Sequence, residues 1–399
     1  MKAVVYKGVR NVAVEDIEMA HIEEKTDALL RITSAAICGS DLHMYDGRTT
    51  FEVGRSLGHE IMGVIEKVGD AVTQIKVGDR VVLPFNIGCG DCANCSRTMT
   101  SACLVANPEN VGAGYGYAGM GPYQGGQAEY IRVPYADFNC LKVPGTPGDE
   151  FEDNFILLAD IFPTAYHSTE QARVGLGSTV AIYGAGPIGM LAALSCQIKG
   201  ASEIYVIDSV PERLDKVKSI GATPINFKDG SPVEQILDLR KHNKNRIGAM
   251  RPGDEKMPGV MCGIDAVGYQ SHDEGNPDLN RPNQITDDLF EIVNPTGAIG
   301  VIGVFMSADP GGADENAKNG TFDIPWARVF EKGLTIEGGQ CPVKKYNVLL
   351  RDLILAGKAN PSFIISHNLP MEAAPEAYSL FDKRADGYTK VILKPQMKG

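Results

Sequence analysis

The chain has 399 residues, of which 43% are hydrophobic and 22% charged, an ordinary globular composition with enough length for two domains, each with its own core. A net charge of -12 and a pI near 5.1 argue against nucleic acid or an anionic membrane as partner, since either needs a concentrated basic surface. No run approaches the roughly 18 apolar residues of a spanning helix, and MKAVVYKGVR opens in strand-like alternation without a signal-peptide core, so a cytoplasmic protein is expected.

Up to about residue 160 the sequence reads as short β-type runs between glycine turns: KAVVY, NVAVEDI, ALLRITSAAI, EIMGVIEKV, DRVVLPF and AEYIRVPY. A β-rich domain is expected over 1–160, with a separate lobe at about 86–105. From Gly177 the rhythm changes to strands followed by helical patterns: STVAIYGAG, PIGMLAALSCQIKGA, EIYVIDSV and PERLDKVKSIGA. This alternation predicts an α/β domain over 161–339 with a parallel sheet and crossover helices, to which GIDAVG, AIGVIGVF and LTIEGG add strands. Over 340–399 come helices near KYNVLLRDLILAGK and EAAPEAYSLF and a closing strand, KVILK, expected to fold back onto the first domain. Three stretches, 241–259, 269–285 and 307–324, read as long loops or insertions.

Of nine cysteines, Cys89, Cys92, Cys95 and Cys103 crowd into C-x2-C-x2-C-x7-C. Such spacing lets four thiolates close a tetrahedral zinc shell with no open position, a structural site; an iron-sulfur cluster is the alternative. Cys140, Cys196, Cys262 and Cys341 read as small buried or incidental thiols.

Chemistry must then lie elsewhere. AAICGSDLH and LGHE supply Cys38 and His59, each beside a glycine at the end of a strand-like run. Either alone reads as a buried thiol or a core histidine. ADIFPTAYH adds Asp160, a carboxylate in an otherwise apolar stretch that cannot shelter it unpaired. Three such ligands and one open position are the pattern of catalytic zinc.

Gly184, Gly186 and Gly189 form G-x-G-x-x-G, with Pro187 and Ile188 between the last two, joining the strand TVAIY to a helical run. The pattern lets backbone amides approach a pyrophosphate at a helix N-terminus. Asp208 closes the next strand 19 residues after Gly189, where a carboxylate grips ribose hydroxyls and repels a 2′-phosphate, so NAD is expected over NADP. Arg213 could accommodate that phosphate, but reads first as a solvated residue of PERLDKVK.

C-G-S-D-x-H, then G-H-E, the four-cysteine loop, D-I-F-P-T-A-Y-H and G-A-G-P-I-G stand in the order of the zinc-dependent medium-chain dehydrogenases, which the chain resembles over nearly its whole length. GRTTFEVGRSLGHEI, LPFNIGCGDC, GAGYGYAGMG, GGQAEYIRVPYADFN and CPVKKYN bring it nearest to the glutathione-independent formaldehyde dehydrogenases and formaldehyde dismutases. The resemblance implies a GroES-like catalytic domain, a Rossmann doubly wound parallel sheet, and an active site in the cleft between them. It implies two Zn2+ per subunit, NAD, and a homotetramer. Cys38, His59 and Asp160 would bind the catalytic zinc, with Glu60 a nearby carboxylate that enters the shell transiently or forms a structural ion pair. Ser40 and His43 match proton-relay positions, and Asp41 the carboxylate that orients the ligand histidine. Lys390 stands where relatives place a basic residue near the cleft, but reads first as solvated. The insertions match regions that cover the nucleotide, so NAD retained through turnover is expected. Glutathione-dependent relatives hold their substrate with a basic residue, whereas no Lys or Arg stands between Arg97 and Arg132. A small alcohol or hydrated aldehyde without an anionic handle is the expected substrate, formaldehyde first. A general alcohol or polyol dehydrogenase is the alternative, and a non-catalytic nucleotide-binding protein a more distant one.

Overall fold

Ten residues from Ala28 to Ile37 carry small or apolar side chains on both faces except at Arg31, a pattern suited to a strand covered on both sides. In the computed structural model, which describes residues 1–272, 280–309, 311–312, 314–385 and 387–397, that strand lies inside a seven-stranded sheet. The strands, in chain order, begin with β1 (Lys2–Gly8) and β2 (Asn11–Asp16), an antiparallel hairpin. They continue with β3 (Ala28–Ile37), β4 (Glu60–Val68), β5 (Arg80–Leu83), β6 (Tyr130–Val133) and β7 (Leu141–Lys142). Six more follow: β8 (Thr179–Tyr183), β9 (Glu203–Asp208), β10 (Thr223–Asn226), β11 (Val260–Asp265), β12 (Val293–Val301) and β13 (Thr335–Gly338). The last are β14 (His367–Pro370) and β15 (Val391–Lys394).

The first sheet runs β14-β15-β3-β4-β5-β7, with β6 also on β3. Because β15 pairs antiparallel with the end of β3, Val391 opposite Ile37, the C-terminal residues complete this sheet. One unit accordingly contains Met1–Pro163 and Cys341–Gly399, and the other Thr164–Gln340. The first unit's core packs Ile32, Ile61, Val81, Leu83 and Ile131 together, all essentially out of water.

The second unit is built on a six-stranded sheet of order β10-β9-β8-β11-β12-β13, every pairing parallel. This is the doubly wound order expected of a dinucleotide-binding fold. Among the elements that escaped the sequence reading here are β10, the helix Trp326–Lys332, and a helix at Pro232–Lys241 whose Ser231 hydroxyl accepts the Glu234 amide. The presumed loop 241–259 contains helical turns at Lys244–Ala249 and Asp254–Lys256. The end of 269–285 belongs to the helix Gln284–Ile292, and 307–324 contains a short helix, Glu315–Lys318. Within these expected insertions, 273–279, 310 and 313 lie outside the described residues. Among the described residues no helix is long and apolar enough to cross a membrane.

Candidate active site

Strand register assembles the site. Ala36 of β3 lies opposite Glu60 of β4, so Cys38, just past the end of β3, comes beside His59, just before β4. Gly58 turns the chain there at φ 96, and a Cβ on it would strike the Gln127 side chain. The Phe85 amide, past the end of β5, donates to the Ala159 carbonyl at 2.8 Å, which fixes the 3-10 turn Ile156–Ala159 and delivers Asp160 to the same place.

One ligand atom each from Cys38, His59, Glu60 and Asp160 lies within 4.8 Å of the others, and all four residues are buried. Asp160 Oδ2 is 3.2 Å from His59 Nε2 and 3.8 Å from Cys38 Sγ. On the far edge of the imidazole, Asp41 Oδ1 is 3.2 Å from Nδ1, so Nε2 faces the cluster. Burial alone would lower the His59 pKa, but the Asp41 charge, with hydrogen bonds to Asp160 and Asp41, outweighs it and moves the pKa well above the ordinary value. Burial, then the Glu60 charge, raises the Cys38 thiol. Ser40 Oγ is 3.3 Å from His59 Nε2, and His43, also buried, lies one turn along the helix Asp41–Tyr45. The rings of Phe85 and Tyr117 meet the imidazole edge-on, with centroids 6.1 and 6.4 Å away.

Lys390 corrects its sequence reading: it is 0% exposed, and its Nζ donates to Glu60 Oε1 at 2.5 Å and the Ile37 carbonyl at 3.0 Å. Burial raises the Glu60 carboxyl against the lowering effect of that ammonium. Glu60 Oε2 is buried without a hydrogen-bond partner. Three acidic side chains and an imidazole thus share a dry space with one lysine. A divalent cation would supply the missing charge, and a thiolate, imidazole and carboxylate are ordinary zinc ligands, so the residues fit the metal.

The second cluster is Cys89, Cys92, Cys95 and Cys103. Cys89 and Cys95 sulfurs are 4.0 Å apart, as are those of Cys92 and Cys103. A tetrahedron with bonds of about 2.3 Å has edges of roughly 3.8 Å, whereas a disulfide needs about 2.05 Å. Backbone amides also point at the sulfurs. Those of Cys89 and Ala106 donate to Cys103 Sγ, and that of Leu104 to Cys92 Sγ, lowering the Cys92 pKa to about 6. Cys140, Cys196, Cys262 and Cys341 are buried and belong to neither cluster.

In the second unit Gly184, Gly186 and Gly189 turn β8 into the helix Pro187–Ile198, with Pro187 and Ile188 opening its first turn. Gly184 has φ 95, and a Cβ on Gly189 would lie 1.7 Å from the Gly184 carbonyl, so neither position admits a side chain. Asp208 ends β9: its Oδ2 accepts the Ala185 amide at 2.8 Å and its Oδ1 those of Ser209 and Val210. The carboxylate is therefore locked to the glycine turn. Arg213, read as solvated, has a side chain only 13% exposed and 3.8 Å from Asp208 Oδ2.

Comparison with known proteins fits this geometry. Residues 24–145 match the alcohol dehydrogenase GroES-like domain. The chain is 37% identical to the glutathione-independent formaldehyde dehydrogenase of Pseudomonas aeruginosa, across 96% of this chain and 94% of that one. It belongs to the zinc-dependent medium-chain dehydrogenases. This dehydrogenase is also 34% identical to the formaldehyde dismutase of Pseudomonas putida, covering 99% of this chain and 97% of the relative. Among solved structures, the alcohol dehydrogenase TADH of Thermus sp. ATN1 superposes with a TM-score of 0.80 at 34% identity over 99% of each chain.

Sequence reasoning singled out neither Gln127 and Tyr378, which lie behind His59, nor the buried pair Arg80 and Glu152. Glu152 is buried; it accepts Ser34 Oγ at 2.6 Å and Thr33 Oγ1 at 3.1 Å, and pairs with Arg80 Nη2 at 2.5 Å. Arg80 Nη1 reaches Asp149 Oδ2 at 2.8 Å. The only sequence signal was a set of charges at strand and helix ends.

Proposed function

We propose that this dehydrogenase oxidises a small alcohol or hydrated aldehyde with NAD, formaldehyde hydrate foremost. Cys38, His59 and Asp160 hold its catalytic zinc, with Glu60 in reach, and the four clustered cysteines hold a structural one. The observation that carries the reading is the convergence of those four buried side chains within 4.8 Å. Zinc bound there supplies a Lewis acid that lowers the pKa of a substrate hydroxyl, and NAD accepts the hydride.

The chain's own residues do the rest. Asp41 orients the imidazole so that Nε2 faces the cluster. Ser40 Oγ accepts the proton leaving the substrate hydroxyl, and His43 is the outer member of the relay that takes it to water. Phe85 and Tyr117 set their rings edge-on against His59, apolar surface that limits water beside the imidazole. Gly184, Gly186 and Gly189 with the helix after them hold the NAD pyrophosphate, while Asp208 binds its ribose hydroxyls. The stretch 98–131, free of Lys and Arg, offers no cation for a glutathione carboxylate. The names of the Pseudomonas relatives support formaldehyde as substrate, and a nucleotide that stays bound through both half-reactions would permit dismutation. A cytoplasmic homotetramer belongs to the same reading, with light scattering as the check on assembly.

The test is formaldehyde incubated alone with purified enzyme. Formate and methanol in equal yield without added NAD mark a dismutase, and formate that requires NAD marks a dehydrogenase. Neither product, with turnover of longer alcohols, supports the second reading, a general alcohol dehydrogenase, which the similarity to the Thermus enzyme favours.

A further inference from the structure

Behind His59 a chain of buried polar groups runs away from the cluster. Asp41 Oδ2 accepts the Cys38 amide at 3.0 Å and Gln127 Nε2 at 3.3 Å, which leaves Oδ1 to face His59 Nδ1. The same Gln127 nitrogen donates to the Ala36 carbonyl at 3.1 Å, while Gln127 Oε1 accepts the Tyr378 hydroxyl at 2.9 Å. Asp41, Gln127 and Tyr378 are all 0% exposed, so these bonds are shielded from bulk solvent. The amide cannot turn over: a flipped Gln127 would set its oxygen against a carboxylate and a carbonyl, and its nitrogen against the tyrosine hydroxyl. The backbone clamps it too, since the Gln127 amide donates to the Leu57 carbonyl and the Gln127 carbonyl accepts from Val4, and a side chain on Gly58 would occupy its place. Tyr378 comes from the helix Ala374–Asp382, 251 residues from Gln127, so the C-terminal segment reaches the ligand histidine through this path.

We propose that Gln127 and Tyr378 are positioning residues which hold the Asp41 carboxylate against His59 and so set how tightly the cluster of Cys38, His59, Glu60 and Asp160 keeps its metal. The inference rests on the reading of that cluster as a zinc site. A residue that orients a ligand histidine through a hydrogen bond typically changes metal affinity by about 10–100-fold, and groups one bond further out stand at the low end of that range. Gln served both as acceptor from a hydroxyl and as donor to a carboxylate, a combination no apolar residue of its volume reproduces. If the two residues act in series, their effects cannot multiply.

The experiment measures zinc release to a chromogenic chelator from wild type, Gln127→Met, Tyr378→Phe and the double variant, with the melting temperature of each recorded. The four-thiolate zinc of the same molecule is the internal reference. Expected are release from the His59 site roughly tenfold faster in Gln127→Met, a few-fold faster in Tyr378→Phe, and no faster in the double variant than in Gln127→Met. Cobalt placed in the His59 site should show shifted visible bands in Gln127→Met, a change that looser packing elsewhere would not produce. Folded variants with wild-type release and wild-type cobalt bands overturn the proposal, and multiplying effects overturn the serial path. Should Gln127→Met fail to fold, Tyr378→Phe, which keeps its ring beside Tyr45, decides alone: release at the wild-type rate overturns the proposal. A wild-type protein with zinc only among the thiolates overturns the cluster's metal reading instead, whereas two zincs in wild type with unchanged variants overturn this inference alone.

Discussion

Replacing Arg80 with methionine should unsettle the catalytic unit more than any exposed charge change. Arg80 is almost wholly buried; it pairs with Glu152 at 2.5 Å and Asp149 at 2.8 Å, donates to the Pro144 carbonyl at 2.9 Å, and its guanidinium lies 5.6 Å from the Phe155 ring centre. Methionine fills most of the space but strands Glu152 with neutral donors only: Ser34 Oγ, Thr33 Oγ1 and the Gly148 amide. Breaking a buried pair in this way costs about 3–5 kcal/mol, on the order of 10 °C in the melting temperature of a unit this size. Arg80→Met with Glu152→Met should recover at least half of that, because the uncompensated charge leaves with its partner. The assay is calorimetry of wild type and both variants between pH 3.5 and 7.

Acid supplies an independent arm. Burial raises the pKa of Glu152 and of Asp149, but hydrogen bonds outweigh it and leave both below their ordinary values of 4.5 and 3.8, from Ser34, Gly148 and Arg80 for Glu152 and foremost from Arg80 for Asp149. Carboxylates depressed in the folded state stabilise it above their unfolded pKa, and that contribution is lost as the pH falls through the folded value. The wild-type advantage over Arg80→Met should therefore be full near pH 6 and shrink below about pH 4.5. A single variant melting within about 2 °C of wild type at pH 7, or a gap that widens in acid, refutes the reasoning.

Asp160→Ala should fold, lose the His59-site zinc and drop alcohol oxidation by at least about 1000-fold, whereas Cys103→Ala should lose the thiolate zinc and fall in melting temperature; metal analysis beside calorimetry separates the two. Asp208→Ala should raise the NADP to NAD ratio of kcat/KM by about tenfold or more, since the repelling charge goes while Arg213 stays 3.8 Å from where it stood; steady-state kinetics with both nucleotides checks this. Purified, dialysed enzyme should retain NAD, visible by mass after denaturation, and a nucleotide-free protein would remove the basis for dismutation.

How legible each part was depended on the range of the interaction. Runs such as ALLRITSAAI and TVAIY announced strands because their apolar periodicity is local. The helix Pro232–Lys241 was missed although Ser231 before it and Glu234 in its first turn form the cap signature, a signal that was available. β10, four residues with Pro224 inside, offers no apolar run and forms because β9 gives it a parallel partner from Tyr205 to Asp208.

The site divides along the same line. Cys38, His59 and Asp160 could be named because a thiol, an imidazole and a carboxylate are each conspicuous at the edge of an apolar run, and the four-cysteine spacing is nearly self-explanatory. Lys390 was read as solvated because nothing near it in sequence shows what it faces: its partner, Glu60, is 330 residues away. An ammonium at the start of a closing strand looks like an ordinary surface lysine until β15 is set beside β3, which places it against Glu60. Gln127 is the sharper case, since a glutamine within GGQAEY has no local feature that marks it. Its significance arises from three acceptor and donor positions, on Ala36, Asp41 and Tyr378, that only the closed sheet brings together. Ligands can thus be read from residue chemistry, but the groups that hold ligands in place must be read from topology, and in this dehydrogenase the C-terminal segment brings two of them, Lys390 and Tyr378, into the first domain's core.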